Sequence, residues 1–436
     1  MGFTSTTRAS ATVAAASDFI GHKTAGTLWG LFCERVRRTP DSVAYQEYDE
    51  STRAWRDHTW RDVAARIKQF RAALAAEELR PGDRVAVVLP SGTDWVCFDL
   101  AAHALGLVVV ALYSHDTAAS NAYILGHSDA RLLLVDTFVR WQSFAALHSQ
   151  FPALERVWIR EGGQARVPAD PILRSLSKIL SLGGEPPPVH PVAPTSLATL
   201  IYTSGTTSRP KGVMLSHFAL LWNAEASATV IPTRSDDVFL SILPLAHAFE
   251  RTAGYYLPMA GGCAVAYARS PQDLADDLLT VRPTVLLAVP RLYERMYAAI
   301  HARAGRSSLK RKLLKLAALL GWRHLVAAQE QGTAPGFGER VLWPFLRRLV
   351  AVPAMAAFGG RLRITISGGA SLDERIARFL IGLGLPLVEG YGLTEAAPVV
   401  TAMALGDNVV GSVGRPLPGV DLELNQQGEL LVHSPR

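Results

Sequence analysis

The chain has 436 residues, more than one ordinary domain and enough to bury a large core. About half of it is apolar and Gly and Pro stand near average, which excludes a disordered chain. A net charge of +6 is modest for this length and gives no sign of nucleic acid, while Cys33, Cys97 and Cys263 are too scattered for a disulfide framework or metal-ligand spacing, as in a reducing, cytoplasmic compartment.

Residues 1–26 are expected to form a flexible N-terminus. They lack a charged segment followed by an apolar one, so they are no secretory signal. Gly2 and Thr6 fit an N-terminal acylation pattern, although a frayed tail accounts for the same residues better. A helix is predicted over 27–37, closed by Thr39-Pro40, and a strand over 43–47. Val63, Ile67, Phe70 and Leu74 fall at helical spacing within a helix predicted over 59–78. Pro81-Gly82-Asp83 then turns into a strand at 84–89. Further helices are predicted at 94–105 and 120–127, with strands at 107–113 and 131–135. The apolar run 96–113 is interrupted by Asp99 and His103 and reads as helix then strand, not as a membrane span. Such alternation predicts a parallel sheet covered by helices, a first α/β subdomain over 27–195. Its last part, 162–191, is rich in Pro, Gly and Ser and reads as a connector.

The stretch 200–217, LIYTSGTTSRPKGVMLSH, opens with a strand-like apolar run. Thr203, Ser204, Gly205, Thr206, Thr207 and Ser208 follow, then Arg209, Pro210, Lys211 and Gly212, and a second apolar run starts at Val213. Such a loop offers backbone N–H groups, hydroxyl donors and one mobile ammonium, a set suited to a polyphosphate. It is not the Walker spacing. Helices at 219–227, 253–259 and 271–280 and strands at 238–242, 264–267, 284–288 and 363–367 predict a second α/β subdomain over 196–404. Residues 405–436, with turns at Pro418-Gly419 and Gln427-Gly428, read as the start of a small β unit. The fold class is therefore α/β: two subdomains with mostly parallel sheets covered by helices, plus a small, partial β-barrel-like subdomain.

Within 303–350, Arg303, Arg306, Lys310, Arg311, Lys312, Lys315, Arg323, Arg340, Arg347 and Arg348 face only Glu330 and Glu339. Leu309, Leu313, Leu316 and Leu320 share a helical face flanked by lysines, and Val341, Leu342, Phe345 and Leu349 form a second apolar stretch. A core helix with a solvated basic edge explains this. A peripheral surface for anionic membrane explains it equally well.

Three more segments carry chemistry. In SILPLAHAFER (241–251) a strand ends at Pro244 and places His247, Phe249, Glu250 and Arg251 past its tip, where α/β sheets bind ligands, although taken alone a satisfied histidine beside a local Glu–Arg ion pair accounts for these residues better. Ser367-Gly368-Gly369-Ala370 follows a strand, and its glycines admit close approach of a flat ring. Glu389, Gly390, Tyr391, Gly392, Leu393, Thr394 and Glu395 put an aromatic face, a hydroxyl and a carboxylate in one short loop. They suit a purine, a phosphate and Mg²⁺ respectively.

In this order, TSGTTSRPKG, LPLAH, SGGA and YGLTE resemble the signatures of the adenylate-forming superfamily of acyl-CoA synthetases, luciferases and peptide-synthetase adenylation domains. LPLAH-x-FER looks like its long-chain fatty-acid branch, and the similarity runs from about Thr27 through GSVGRPLPGV at 411–420. Ser208 departs from the usual glycine. The resemblance implies that Thr203, Ser204, Gly205, Thr206, Thr207 and Lys211 cradle the β- and γ-phosphates of ATP. Gly369, Ala370 and Tyr391 would form the adenine pocket within the nucleotide loop Glu389, Gly390, Tyr391, Gly392 and Thr394. Thr394 would touch the α-phosphate, Glu395 would hold Mg²⁺ and His247 would line the acyl-carboxylate site. The implied reaction joins a fatty carboxylate to ATP as acyl-AMP and then transfers the acyl group to coenzyme A. Ala248 stands where amino-acid-activating domains have an aspartate, which disfavours an amino-acid substrate. The ribose-binding aspartate, hinge and C-terminal lysine of the family fall beyond Arg436, so little turnover is expected of these residues alone. A non-catalytic nucleotide- or acyl-binding module and a fatty acyl-AMP ligase stand as alternatives. The partners foreseen are a fatty acid, a peripheral site at the inner membrane face and a homodimer, with no nucleic acid.

Overall fold

The computed structural model describes residues 18–160, 170–203, 209–305 and 307–435. Two large sheets dominate. The first has seven strands in the spatial order Leu173–Ser175, Arg156–Ile159, Ala130–Val135, Arg84–Val88, Val108–Ala111, Leu197–Thr203 and Lys211–Ser216. Every neighbouring pair in it is parallel except the last. The second has nine, in the order Arg415–Pro416, Val399–Ala402, Leu387–Gly392, Ile364–Ser367, Val285–Ala288, Val238–Ser241, Ala264–Tyr267, Val43–Asp49 and Ala54–Thr59. It is parallel from Leu387–Gly392 to Val43–Asp49 and antiparallel at both ends. A separate hairpin joins Asp421–Leu424 to Leu430–His433. The expected α/β class is borne out, with this hairpin as the small β unit.

Strand residues divide between cores by the two-residue period of the pleat. Val85 and Val87 enter the core between the sheets, whereas Ala86 and Val88 face the outer core of the seven-stranded sheet. Phe239, Val265 and Leu287 likewise enter the shared core, with Leu240, Ala266 and Leu286 on the far side. Both faces of each sheet are covered, which is why these strands read as continuous apolar runs.

Helix starts follow local chemistry. Thr59 and Asp62 form a reciprocal cap for the helix Trp60–Ala75. The Ser216 hydroxyl accepts the Ala219 N–H at 3.1 Å to start His217–Val230. The helix predicted at 253–259 is instead a π turn, Glu250–Tyr256, running into Leu257–Gly261. Pro258 has no N–H to donate back into the turn before it, which favours an irregular turn there.

The expected division at residue 195 is corrected, one strand was not foreseen, and one open alternative is resolved. Strand pairing crosses residue 195 in both directions, since Val43–Asp49 pairs with Ala264–Tyr267 and Val108–Ala111 pairs with Leu197–Thr203. The strand Ala54–Thr59 was hidden by its polar composition, because it is an edge whose side chains largely meet water. In the basic segment, Leu320 is buried and Leu313 and Leu316 pack on the core, while Leu309 is exposed, so the first leucine stripe is a core face of the helix Ser308–Ala328.

Candidate active site

The loops leaving Ser241 and Ser367 and the loop 390–395 rise from one end of the parallel strands, where an α/β sheet opens to ligands. With Thr203, the last residue of its strand in the other sheet, they line a cavity of about 620 Å³. One wall consists of Ile366, Gly368 and Gly369 and the loop 390–395. Gly369 has φ +82°, a left-handed conformation that an L side chain resists. A side chain on Gly392 would begin 2.3 Å from the Pro398 carbonyl, so only glycine lets the two strands approach there. Phe249, Ala253 and Leu257, four residues apart along the π and α turns, line the same cavity with His247, and the Phe249 ring packs close against Gly368.

The Phe249 backbone N–H donates to His247 Nδ1 at 3.1 Å, which leaves the ring proton on Nε2. Burial lowers the His247 pKa, so the ring is neutral at physiological pH. It is a fixed, uncharged donor. Glu395 is exposed and is the one carboxylate among the described lining residues.

Of the residues picked from sequence, Thr203, His247, Gly369, Gly390, Tyr391, Gly392, Thr394 and Glu395 come together on this cavity. Ala370 does not line it. Glu389 does not either: it is buried, still paired within the sheet opposite Ser367, and accepts the Leu372 N–H at 3.2 Å. Burial raises its carboxyl pKa, and its structural part is to hold the turn after Gly369. Lys211 is exposed and opens the strand opposite Thr203, so the hairpin carries its ammonium beside the cavity without making it part of the lining. Ser204, Gly205, Thr206 and Thr207 lie outside the described residues.

Sequence reasoning missed Ser227 and Ile231, cavity residues of one helix face, and Asn223 behind them. Asn223 Nδ2 donates to the carbonyls of Ala396 (3.2 Å) and Val399 (2.7 Å), and its Oδ1 accepts the Val399 N–H at 3.1 Å. Thr252 Oγ1 donates to the Ala397 carbonyl at 2.9 Å. The loop bearing Thr394 and Glu395 is thus tied down from two helices. An asparagine and a serine four apart on a mostly apolar helix were the available signal.

Among the described residues, no group of three or more His, Cys, Asp or Glu is placed to hold a metal ion by itself. A single exposed carboxylate fits Mg²⁺ only in company with phosphate oxygens, the usual arrangement for that ion. No helix of the described residues is long and apolar enough to cross a membrane.

Comparison with known proteins adds to this geometry. A family model described as AMP-binding enzyme matches residues 32–435. A long-chain-fatty-acid–CoA ligase of Mycobacterium bovis is 31% identical over 407 residues, covering 92% of this chain and 66% of the relative. A peroxisomal long chain acyl-CoA synthetase of Arabidopsis thaliana is 30% identical over 424 residues, covering 94% of this chain and 58% of the relative. The chain therefore spans between about 58% and 66% of the length of these relatives. Among solved structures, the N-terminal domain of FACL13 from Mycobacterium tuberculosis aligns with a TM-score of 0.69 at 20% identity, covering 93% of this chain and 86% of that one. A long-chain-fatty-acid-CoA ligase from Archaeoglobus fulgidus aligns with a TM-score of 0.69 at 19% identity, covering 96% and 74%.

Proposed function

The chain belongs to the AMP-binding enzyme family, and from that premise we propose that it activates a long-chain fatty carboxylate with MgATP as part of a fatty-acid–CoA ligase. The observation that carries the proposal is one cavity lined by two unlike sets of residues: glycines with Tyr391, Thr394 and Glu395, and an apolar set of Phe249, Ala253 and Leu257 with His247.

In the proposed reaction a carboxylate oxygen attacks the α-phosphorus of ATP and the bond to pyrophosphate breaks, giving acyl-AMP. The thiol of coenzyme A then attacks the acyl carbon, loses its proton, and AMP leaves. Tyr391 offers a face for the purine and Gly369 a backbone that a flat ring can approach. Thr394 donates to an α-phosphate oxygen as its charge grows. Lys211 supports the outer phosphates from the hairpin. His247 Nε2–H orients the carboxylate; because the ring is neutral it does so without quenching the nucleophile as an imidazolium would. Glu395 would hold Mg²⁺, which would supply charge neutralisation at the phosphates. Phe249, Ala253 and Leu257 are apolar and bring no acid to the cavity, which suits an alkyl chain and not an ammonium group. A cytoplasmic setting belongs to the same proposal.

Titration calorimetry of the purified chain tests this, using MgATP and two acyl-sulfamoyl adenosines that mimic acyl-AMP, acetyl and palmitoyl. MgATP should bind, and Lys211→Ala should weaken it by on the order of tenfold. The palmitoyl compound should bind at least about tenfold tighter than the acetyl one, a modest demand at roughly 0.8 kcal/mol per buried methylene. Equal affinities would remove the long-chain assignment, and no binding of any of the three would remove adenylation.

A further inference from the structure

The helical segment 337–356 runs as Phe337–Leu346, a π turn Arg347–Ala351 and Val352–Ala356. Its inner side is anchored. Leu346 and Ala351 are buried in the core of the nine-stranded sheet, and Trp343 stacks on His324 of the neighbouring helix with ring centroids 5.7 Å apart. Its outer side is unlike the rest of the surface. Phe337 is 85% exposed, Phe345 63% and Leu349 73%, with Val341 and Val352 each about half exposed. Their spacing of four, four, four and three residues makes one continuous stripe, and the wider π turn takes up part of the drift that a spacing of four accumulates.

Cations border this stripe. Arg340, Arg347 and Arg348 are exposed on the same segment, and Lys310, Arg311, Lys312 and Lys315 are exposed on the helix Ser308–Ala328 that packs against it. Among the described residues none of these seven has an acidic partner, since Glu339 is taken by Arg323. We infer that the outer face of 337–356 docks on an anionic lipid bilayer, lying in the interface with its apolar stripe among acyl chains and its arginines at the headgroups.

Charge complementarity selects this occupant. A second copy meeting the same face would set arginines against arginines. A bilayer accepts a raised row of separate apolar side chains bordered by cations. Long arginine stems reach sideways to phosphates while the neighbouring apolar groups go deeper. The inference rests on the surface alone and is independent of the reaction proposed above.

Flotation of the full chain with vesicles tests it, comparing phosphatidylcholine alone with phosphatidylcholine containing phosphatidylglycerol. Binding to the anionic vesicles should exceed binding to neutral ones by at least about tenfold at low salt and fall steeply as salt is raised. Phe345→Glu with Leu349→Glu, and separately Arg340→Glu with Arg347→Glu and Arg348→Glu, should each remove most of the binding. All five positions are exposed, so circular dichroism should show an unchanged fold. Val139→Glu, at an exposed apolar residue of another helix, should bind as the unsubstituted chain does. Equal binding to the two vesicle types, no binding to either, or stripe variants that bind normally would each overturn the inference. So would concentration-dependent self-association that the stripe variants abolish, because the face would then belong to a second copy.

Discussion

Glu250 is the residue whose surroundings fit its chemistry least. It follows Phe249 of the cavity wall, yet it does not line the cavity and is buried to 1% exposure. Among the described residues, both its carboxyl oxygens, the Ser241 hydroxyl and the Tyr267 hydroxyl are buried without a hydrogen-bond partner. Ser241 and Tyr267 are paired across adjacent strands, so these groups share one end of the sheet. Burial pushes the Glu250 carboxyl up to about 8. The folded-state value lies above the ordinary 4.5, so between these pH values the native state keeps a proton that the unfolded chain has released. Stability from this group is fully present below about pH 4.5 and drains away as pH rises to about 8, by on the order of a few kcal/mol. Glu250→Gln retains the shape and removes the titration. Urea midpoints at about pH 5 and about pH 8 should therefore fall less in the variant than in the unsubstituted chain. Parallel pH profiles would show that Glu250 is not the titrating group.

At the level of elements, the loop bearing Thr394 and Glu395 is positioned by the helix His217–Val230 more than by its own sequence. Asn223→Ala leaves the Ala396 and Val399 carbonyls and the Val399 N–H without their partner, a loss of about 1–3 kcal/mol for each buried group left unsatisfied. The variant should stay folded, bind MgATP more weakly than the unsubstituted chain, and leave the hairpin Leu197–Ser216 intact; unchanged affinity with normal melting would mean the loop holds itself. This dependence marks where the sequence stops being legible. Gly369, Tyr391, Thr394 and Glu395 could be picked out because short motifs at strand tips carry their chemistry locally. Asn223 could not, because its partners lie 173 and 176 residues away and nothing in a helix pattern names them. Glu389 stays off the cavity for the converse reason. It belongs to the same short motif but sits one step inside the sheet edge, where pairing with Ser367 buries it. The two apolar stripes of the basic segment were equally visible as patterns, and only packing separated the leucines that meet the core from Phe345 and Leu349, which meet solvent.

On the scale of the whole molecule, the two sheets are bolted together across the buried space behind the cavity. Arg251, beside Glu250, pairs with Asp99 of the helix Thr93–Ala104 and donates to Thr199 Oγ1 of the seven-stranded sheet at 3.1 Å. Its guanidinium lies 4.7 Å from the Trp95 ring centroid, and the Tyr255 and Tyr256 hydroxyls donate to Asp99 at 3.2 and 3.0 Å. Burial alone would raise the Asp99 carboxyl, but Arg251 and His103 outweigh it and hold it well below the usual carboxylate range. Arg251→Met leaves that carboxylate buried without its cation, which typically costs about 3–5 kcal/mol, whereas adding Asp99→Leu should recover much of the loss. Strand exchange across residue 195 makes the same point covalently, since each half of the chain supplies strands to the other half's sheet. The exposed, irregular stretch 183–191 is the natural place for a protease to cut between them. Two independent subdomains would separate into folded pieces after such a cut. The strand exchange and the Asp99–Arg251 pair instead require the pieces to elute together under native conditions and melt in one transition. Arg251→Met should lower that single melting temperature without splitting it. Two separated transitions in the cut protein would mean that this contact does not make the sheets one cooperative unit.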